Sequence, residues 1–235
     1  MNGKESFIKG LHDGIPIGLG YFAVSFTFGI AAVGGGLTIW QAILISLSNV
    51  TSAGQFAGIE IMFAAGSLWE MALTELIINL RYSLMSFSIA QKLRRDVPFA
   101  HRFLVAFGMT DEIFAVSASQ EGKLHPFYSY GAMCAAIPGW TLGTLLGAVS
   151  GSILPDFIMS ALSVAIYGMF MAIIIPPARK NRAVMAVVIA AMLLSTLFAV
   201  LPLLNKIGSG FVIIIVTLIV AGIAAAVAPI KEEES

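Results

Sequence analysis

The stretch SLWEMALTELIINLRYSLMSFSIAQKL, residues 67–93, is an apolar run with Glu70, Glu75, Asn79 and Arg81 inside it. A membrane-crossing helix needs ~20 residues at about 1.5 Å each, and this run is long enough. A charge at membrane depth costs at least ~2.5–3.5 kcal/mol on the insertion scale, so such charges face protein, water or a substrate. Glu75, Asn79, Ser83 and Ser86 follow helical spacing and make one polar stripe. Arg81 lies roughly 240° round the helix from Glu75 at 100° per residue. A transport path needs such an arrangement, and a tightly packed polytopic bundle also produces it.

Composition extends that reading to the whole chain. Of its 235 residues, 58% are hydrophobic and 11% charged. A soluble domain carries about 25% charged residues, so too little charge is present to cover a water-exposed surface. The net charge of zero says nothing about nucleic acid, and no Lys/Arg cluster interleaved with aromatics supports it as a partner. The partner of these surfaces is a lipid bilayer. Cys134 is the single cysteine and lies in an apolar stretch, so it is expected to pack as a small hydrophobe. Lys4 and Lys9 precede an apolar run longer than the ~7–15-residue core of a signal peptide, so it reads as a retained first span. A chain of this kind fits a bacterial-type inner membrane.

Apolar runs lie near 14–36, 38–66, 67–91, 103–119, 127–150, 156–175, 183–203 and 208–228. The expected fold is therefore all-α: one polytopic membrane bundle spanning residues 1–235, with about seven or eight membrane segments. The 38–66 run would be ~43 Å long as one straight helix, against a hydrocarbon core of ~30 Å. Near its middle sits the small, polar stretch Asn49-Val50-Thr51-Ser52-Ala53-Gly54-Gln55, and the 127–150 run carries Pro138-Gly139 at its centre. Proline removes an internal helix hydrogen bond. Interrupted segments at corresponding places in residues 14–91 and 103–175 point to an internal inverted repeat, followed by two C-terminal spans at 183–203 and 208–228. Gly and Pro are also simply commoner in membrane helices.

Orientation creates a tension. Basic residues cluster at Lys92, Arg94, Arg95 and Arg102, and again at Arg179, Lys180 and Arg182. The positive-inside rule puts both loops in the cytoplasm, whereas a repeat with three crossings per half puts them on opposite sides. Either one segment is re-entrant, with 38–66 and 103–119 the candidates, or one loop breaks the rule.

Four stretches resemble a known family. They are Asn49-Val50-Thr51-Ser52-Ala53-Gly54-Gln55-Phe56-Ala57, then Ile78-Asn79-Leu80-Arg81-Tyr82-Ser83-Leu84-Met85-Ser86, then Gly108-Met109-Thr110-Asp111-Glu112, and the opening Gly14-Ile15-Pro16-Ile17-Gly18 with Phe28-Gly29. Together they resemble the AzlC family over roughly residues 10–175. The resemblance implies the large subunit of a two-component exporter of branched-chain amino acids. It further implies a small hydrophobic AzlD-like partner, and a substrate among valine, leucine, isoleucine, methionine or their analogues.

The residues supply matching chemistry. A zwitterionic aliphatic amino acid presents a carboxylate, which suits unpaired N–H groups at a helix start. A half-helix beginning after Thr51-Ser52-Ala53-Gly54 would offer them, with Gly54 allowing close approach and Asn49, Thr51, Ser52 and Gln55 hydrogen-bonding. The same polar groups also suit a kink that satisfies its own backbone. Asn79 and Arg81 are further substrate candidates, since guanidinium grips carboxylate in a planar fork. Arg81 is alternatively a counter-ion for Glu60.

A carboxylate removed from water takes up a proton more readily, which is the minimum equipment for proton coupling. Asp111 and Glu75 are the candidates, and Glu60 and Glu112 are read as structural charges. Adjacent helical residues point ~100° apart, so Asp111 and Glu112 cannot both line one path. Asp111 alternatively sits at a half-helix end in water. Glu70 reads as interfacial, and His12, His101 and His125 as solvated.

No nucleotide, hydrolase or metalloprotease motif is present, and no cofactor is expected. Three classes remain: a secondary exporter, a channel or facilitator for small polar solutes without proton coupling, and an intramembrane enzyme. The last lacks any nucleophile–base constellation, so a non-enzymatic role is expected.

Overall fold

A computed structural model describes residues 2–94, 96–153, 157, 171, 174–176, 178–202 and 204–227. Most of the 156–175 run, Arg95 and the tail from Lys231 lie outside the described residues. The described chain is helical, with a single isolated bridge between Leu93 and Leu124 in place of any sheet. Its helices are α1 (Gly3–Gly34), α2 (Ile39–Ser48), α3 (Ser52–Phe63), α4 (Leu68–Lys92), α5 (Phe99–Phe107), α6 (Asp111–Ala118), α7 (Pro126–Ile153), α8 (Arg182–Val200) and α9 (Ser209–Val227).

Four of these, α1, α7, α8 and α9, are long and apolar enough to cross a membrane. The 25 residues of α4 would reach about 38 Å, also enough to cross, but the charges of its sequence keep it out of that apolar class. Packing divides the chain into two compact units, residues 1–56 with 79–163 and residues 57–78 with 164–235.

In the first unit α1 and α7 form a tight pair. A Cβ at Gly10 would overlap the Tyr128 carbonyl, one at Gly14 would meet Ala132, one at Gly18 would meet Ala135, and one at Gly29 would meet Thr144. From the other side, Gly139 abuts Gly18, Gly143 abuts Phe22, and Gly147 abuts Phe26. Partner numbers rise together, so the two helices run parallel. Small residues four apart on both helices let the backbones approach closely, which substitutes for hydrophobic driving force between membrane helices. Pro138 sits inside α7 and Pro16 inside α1 without ending either helix. The break expected at Pro138-Gly139 is therefore absent: α7 runs through it, and membrane helices tolerate proline in their interior. Cys134, expected in the interior, is exposed on α7.

The breaks fall elsewhere, and each produces a hairpin. Asn49 terminates α2, and Ser52 starts α3. Gln55 Nε2 then donates to Ser46 Oγ at 3.0 Å. Nine residues of straight helix would separate these two by about 13 Å, so the chain has turned back at Asn49–Thr51. Because Thr38 caps α2 four residues after α1 ends, this hairpin enters from the Gly34 end of α1.

The 103–119 run is likewise two helices, split at Gly108–Thr110. Lys92 Nζ donates to the Ala118 carbonyl, and Lys123 Nζ to the Gln91 carbonyl at 3.1 Å. Arg102 Nη1 reaches the Ala90 carbonyl at 2.7 Å. Both stems of α5–α6 therefore stand beside the end of α4. Lys9 Nζ contacts Gln120 Oε1 at 2.6 Å, which places those stems at the Gly3 end of α1. The apex reaches inward to Tyr21, so α5–α6 enters from the end opposite to α2–α3.

In the second unit, α8 and α9 pack around Phe198, Val216 and Val220. The buried Glu70 accepts from Gly210 N at 2.8 Å, capping α9 with a carboxylate where the helix dipole favours one. A side chain at Gly208 would collide with that carboxylate. Glu70 is thus a buried cap rather than an interfacial charge.

Candidate functional site

The α5–α6 apex is charged. Gly108 ends α5, and Thr110 caps α6 by accepting from Ile113 N at 3.3 Å. Asp111 and Glu112 fill the first turn of α6, where the dipole stabilises anions. Arg81, from the middle of α4, pairs with Asp111 at 2.8 Å, their side chains 49% and 39% exposed. The guanidinium also donates to Tyr82 Oη at 3.1 Å and lies 4.8 Å from that ring's centroid. The ionic partner of Arg81 is therefore Asp111, where the sequence offers Glu60. Glu60 itself is exposed on α3.

Glu112 points from the same turn to a different neighbour. Tyr21 Oη lies 2.5 Å from Glu112 Oε2 and 2.5 Å from Thr110 Oγ1. Tyr21 is buried and packs edge-on against the buried Trp140 at 5.3 Å. It fastens the apex to the α1–α7 pair. Asp111 and Glu112 diverge as helical geometry requires: one faces the half-exposed Arg81 guanidinium, the other the buried Tyr21 phenol.

The α2–α3 apex is neutral. Thr51 Oγ1 donates to Asn49 Oδ1 at 2.7 Å, so part of this polar stretch satisfies itself. Below it runs a buried chain: Gln55 to Ser46, Ser46 to Thr144 Oγ1 at 2.7 Å, and Thr144 to the Trp140 carbonyl at 3.2 Å. Gln55 is 1% exposed and its Oε1 has no partner among the described residues. Ser52 and Gly54 stand in the first turn of α3, ahead of the first intrahelical bond from Gln55 N to Thr51 O. Their N–H groups belong to the set a helix start leaves unpaired.

Asn79 and Glu75 lie one turn apart on α4, and both engage neighbours. Within the second unit, a Cβ on Gly58 would come within 3.2 Å of Glu75 Oε1, so α3 backbone passes close to that carboxylate. Among the first-unit residues, the structure brings together Arg81, Asp111, Thr110 and Glu112, and separately Asn49, Thr51 and Gln55.

Sequence reasoning missed Tyr21 and the glycine seam, and it read Glu70 as interfacial where the structure buries it. The seam was legible as Gly10-x-x-x-Gly14-x-x-x-Gly18 and Gly139-x-x-x-Gly143-x-x-x-Gly147. A carboxylate three residues after Ser67, with Gly-Ser-Gly downstream at 208–210, was the weaker trace of the Glu70 cap.

A family sequence model described as AzlC protein matches residues 16–154. The chain belongs to the AzlC family. Its similarity extends beyond that core. An uncharacterized membrane protein of Archaeoglobus fulgidus is 36% identical over 190 residues, covering 80% of this chain and 83% of its own. The inner membrane protein YgaZ of Escherichia coli is 28% identical over 207 residues, 84% of each chain. An uncharacterized membrane protein of Helicobacter pylori is 26% identical over 179 residues, 69% of this chain and 76% of its own. No solved structure matches. The matched AzlC region contains α7 and all but the start of α1, both hairpins and the Arg81–Asp111 pair, and stops before α8.

Proposed function

We propose that this AzlC-family protein is a secondary transporter that exports aliphatic, branched-chain amino acids from the cytoplasm. The observation that carries the reading is the half-exposed Arg81–Asp111 pair at the apex of a hairpin entering from one end of α1. A zwitterion carries the same two charges, so a substrate carboxylate can take the Arg81 fork while its ammonium takes Asp111. The first-turn N–H groups of α3, with Asn49, Thr51, Ser52, Gly54 and Gln55, are the second set of polar partners. Asn79 adjoins this path, Asp111 carries the coupling proton with Glu75 as the second carrier, and Glu112 and Glu60 stay structural. This is transport without catalysis.

The membrane arrangement we propose has α1, α4, α7, the 156–175 run, α8 and α9 as six crossings and the two hairpins as re-entrant segments. Hairpins entering from opposite ends, each following one crossing, suit an inverted repeat of α1 with α2–α3 and α4 with α5–α6. With that count both basic loops, 92–102 and 179–182, fall in the cytoplasm, as the positive-inside rule asks. The Escherichia coli relative carries the name of an inner membrane protein, which supports the same membrane for this chain. A small AzlD-like subunit completes the exporter.

The deciding experiment loads cells or vesicles with valine or leucine and measures efflux with the chain and a small AzlD-like subunit present. Efflux that rises with an imposed inward proton gradient, and is lost in Asp111→Asn, is the expected result. Unchanged efflux of every aliphatic amino acid tested would overturn the reading, and efflux indifferent to the gradient would favour a facilitator.

A further inference from the structure

At the Gly3 end of α1 a cleft of about 560 Å³ opens where the start of α1, the end of α4 and the α6–α7 connection converge. Lys9, Arg94, Lys123 and His125 line it with Gln120, and the acid on its wall is Glu121. Among the described residues neither lysine has a carboxylate within salt-bridge distance. Lys9 donates to the amide oxygen of Gln120 at 2.6 Å, and Lys123 to the Gln91 carbonyl at 3.1 Å, leaving each ammonium two further N–H groups. Arg94 forks onto Asp96 at 2.8 and 3.1 Å. Lys92 and Arg102 donate to the Ala118 and Ala90 carbonyls and do not line the cleft.

His125 contributes a donor instead of a charge. Its Nδ1 accepts from Phe127 N at 3.2 Å, so the proton of the neutral ring sits on Nε2. Burial first, and then Arg94, hold this imidazole below the usual histidine range. Two ammoniums and an imidazole N–H around one cleft form a donor set suited to tetrahedral oxyanions. The cleft also stands at helix ends, where lipid head groups lie, and basic pockets there take anionic head groups.

We propose that this cleft binds a phosphate-bearing anion, either an acidic phospholipid head group or a soluble phosphate. Such an anion bridges α1 to the stem of the α5–α6 hairpin, since Lys9 belongs to one and Lys123 to the connection that follows the other. The site is distinct from the Arg81–Asp111 pair and does not depend on what is transported.

The test uses the full-length protein in phosphatidylcholine nanodiscs, with and without phosphatidylglycerol, and separately with inorganic phosphate. The expected result is a higher unfolding temperature with one of these anions and at least a ten-fold weaker response in Lys9→Gln/Lys123→Gln. Lys9→Arg/Lys123→Arg should keep the response, and Lys4→Gln, outside the cleft, should leave it unchanged. A shift with phosphatidylglycerol alone identifies the head group, and a shift with inorganic phosphate identifies the soluble anion. Equal shifts in the wild type and the double Gln variant would overturn the proposal, as would no shift with either anion. If the Gln variant fails to fold, the wild type decides: its shift must vanish in high salt and be absent with phosphatidylcholine alone.

Discussion

The two hairpins share a geometry and differ in chemistry. Each is a pair of short helices with a polar apex, one entering beside Gly34 and the other beside Gly3. The α2–α3 hairpin closes on neutral groups, Gln55, Ser46 and Thr144, all buried. The α5–α6 hairpin closes on Arg81, Asp111, Glu112 and Tyr21, and its ion pair is half exposed. Neutral networks can be buried at little cost once satisfied, whereas a fully buried ion pair carries a large desolvation penalty. The neutral network leaves Gln55 Oε1 without a partner among the described residues, and on the transporter reading proposed above the charged hairpin is the one that would respond to ligand and pH.

The sharpest way to break this comparison is sidedness. In a Cys134→Ser background, Val97→Cys and Glu121→Cys should react alike with an impermeant thiol reagent, and Leu37→Cys should react from the other face. Opposite labelling of Val97→Cys and Glu121→Cys would mean that α5–α6 crosses the membrane, and the hairpin pairing would fall.

Next in size is the ion pair. Arg81→Ala should lower transport by roughly 5–150-fold, corresponding to about 1–3 kcal/mol for a half-exposed charge pair, at normal protein levels. Arg81→Lys should lie between, because the charge stays and the planar fork is lost. Normal transport in well-expressed Arg81→Ala would remove the charged apex from the mechanism.

Gln55→Leu tests the neutral hairpin and should reduce stability by up to about 1.7 kcal/mol, seen as a lower unfolding temperature, and weaken substrate affinity as well, since Gln55 is one of the proposed polar partners. Lower stability with unchanged affinity would take Gln55 out of the binding set and leave it a structural bond to Ser46. The smallest effect is expected for Tyr21→Phe, about 0.6 kcal/mol in stability, since Glu112 is exposed and water can replace the phenol.

Much of this was legible in the sequence, and the omissions have physical causes. The break at Asn49–Thr51 could be read because a ~43 Å run exceeds the bilayer and its polar residues cluster at one place. The break at Gly108–Thr110 was hidden because 103–119 is short enough to pass as one segment. Pro138 misled in the opposite direction: local chemistry predicts a break, but α7 runs continuously through it along its close contact with α1. Asp111 could be picked out by its setting, whereas its pairing with Arg81 could not. That pairing joins α4 to a hairpin apex, and helical periodicity carries no information between elements. Tyr21 was invisible for the same reason, its partners Thr110 and Glu112 lying 89 and 91 positions away.

The parallel seam of α1 and α7 also sets a timetable. Tyr128 Oη meets Asp13 at 2.7 Å across 115 residues of chain. At ~5–20 residues per second of synthesis, α1 waits about 6–23 s for the helix that covers its glycine face and receives Asp13. During that interval a first-made helix with a bare backbone stripe and an unpaired acid must be sheltered by the insertion machinery or by α4. Slowing translation between Phe99 and Pro126 would therefore lengthen the most vulnerable stage in the life of the molecule.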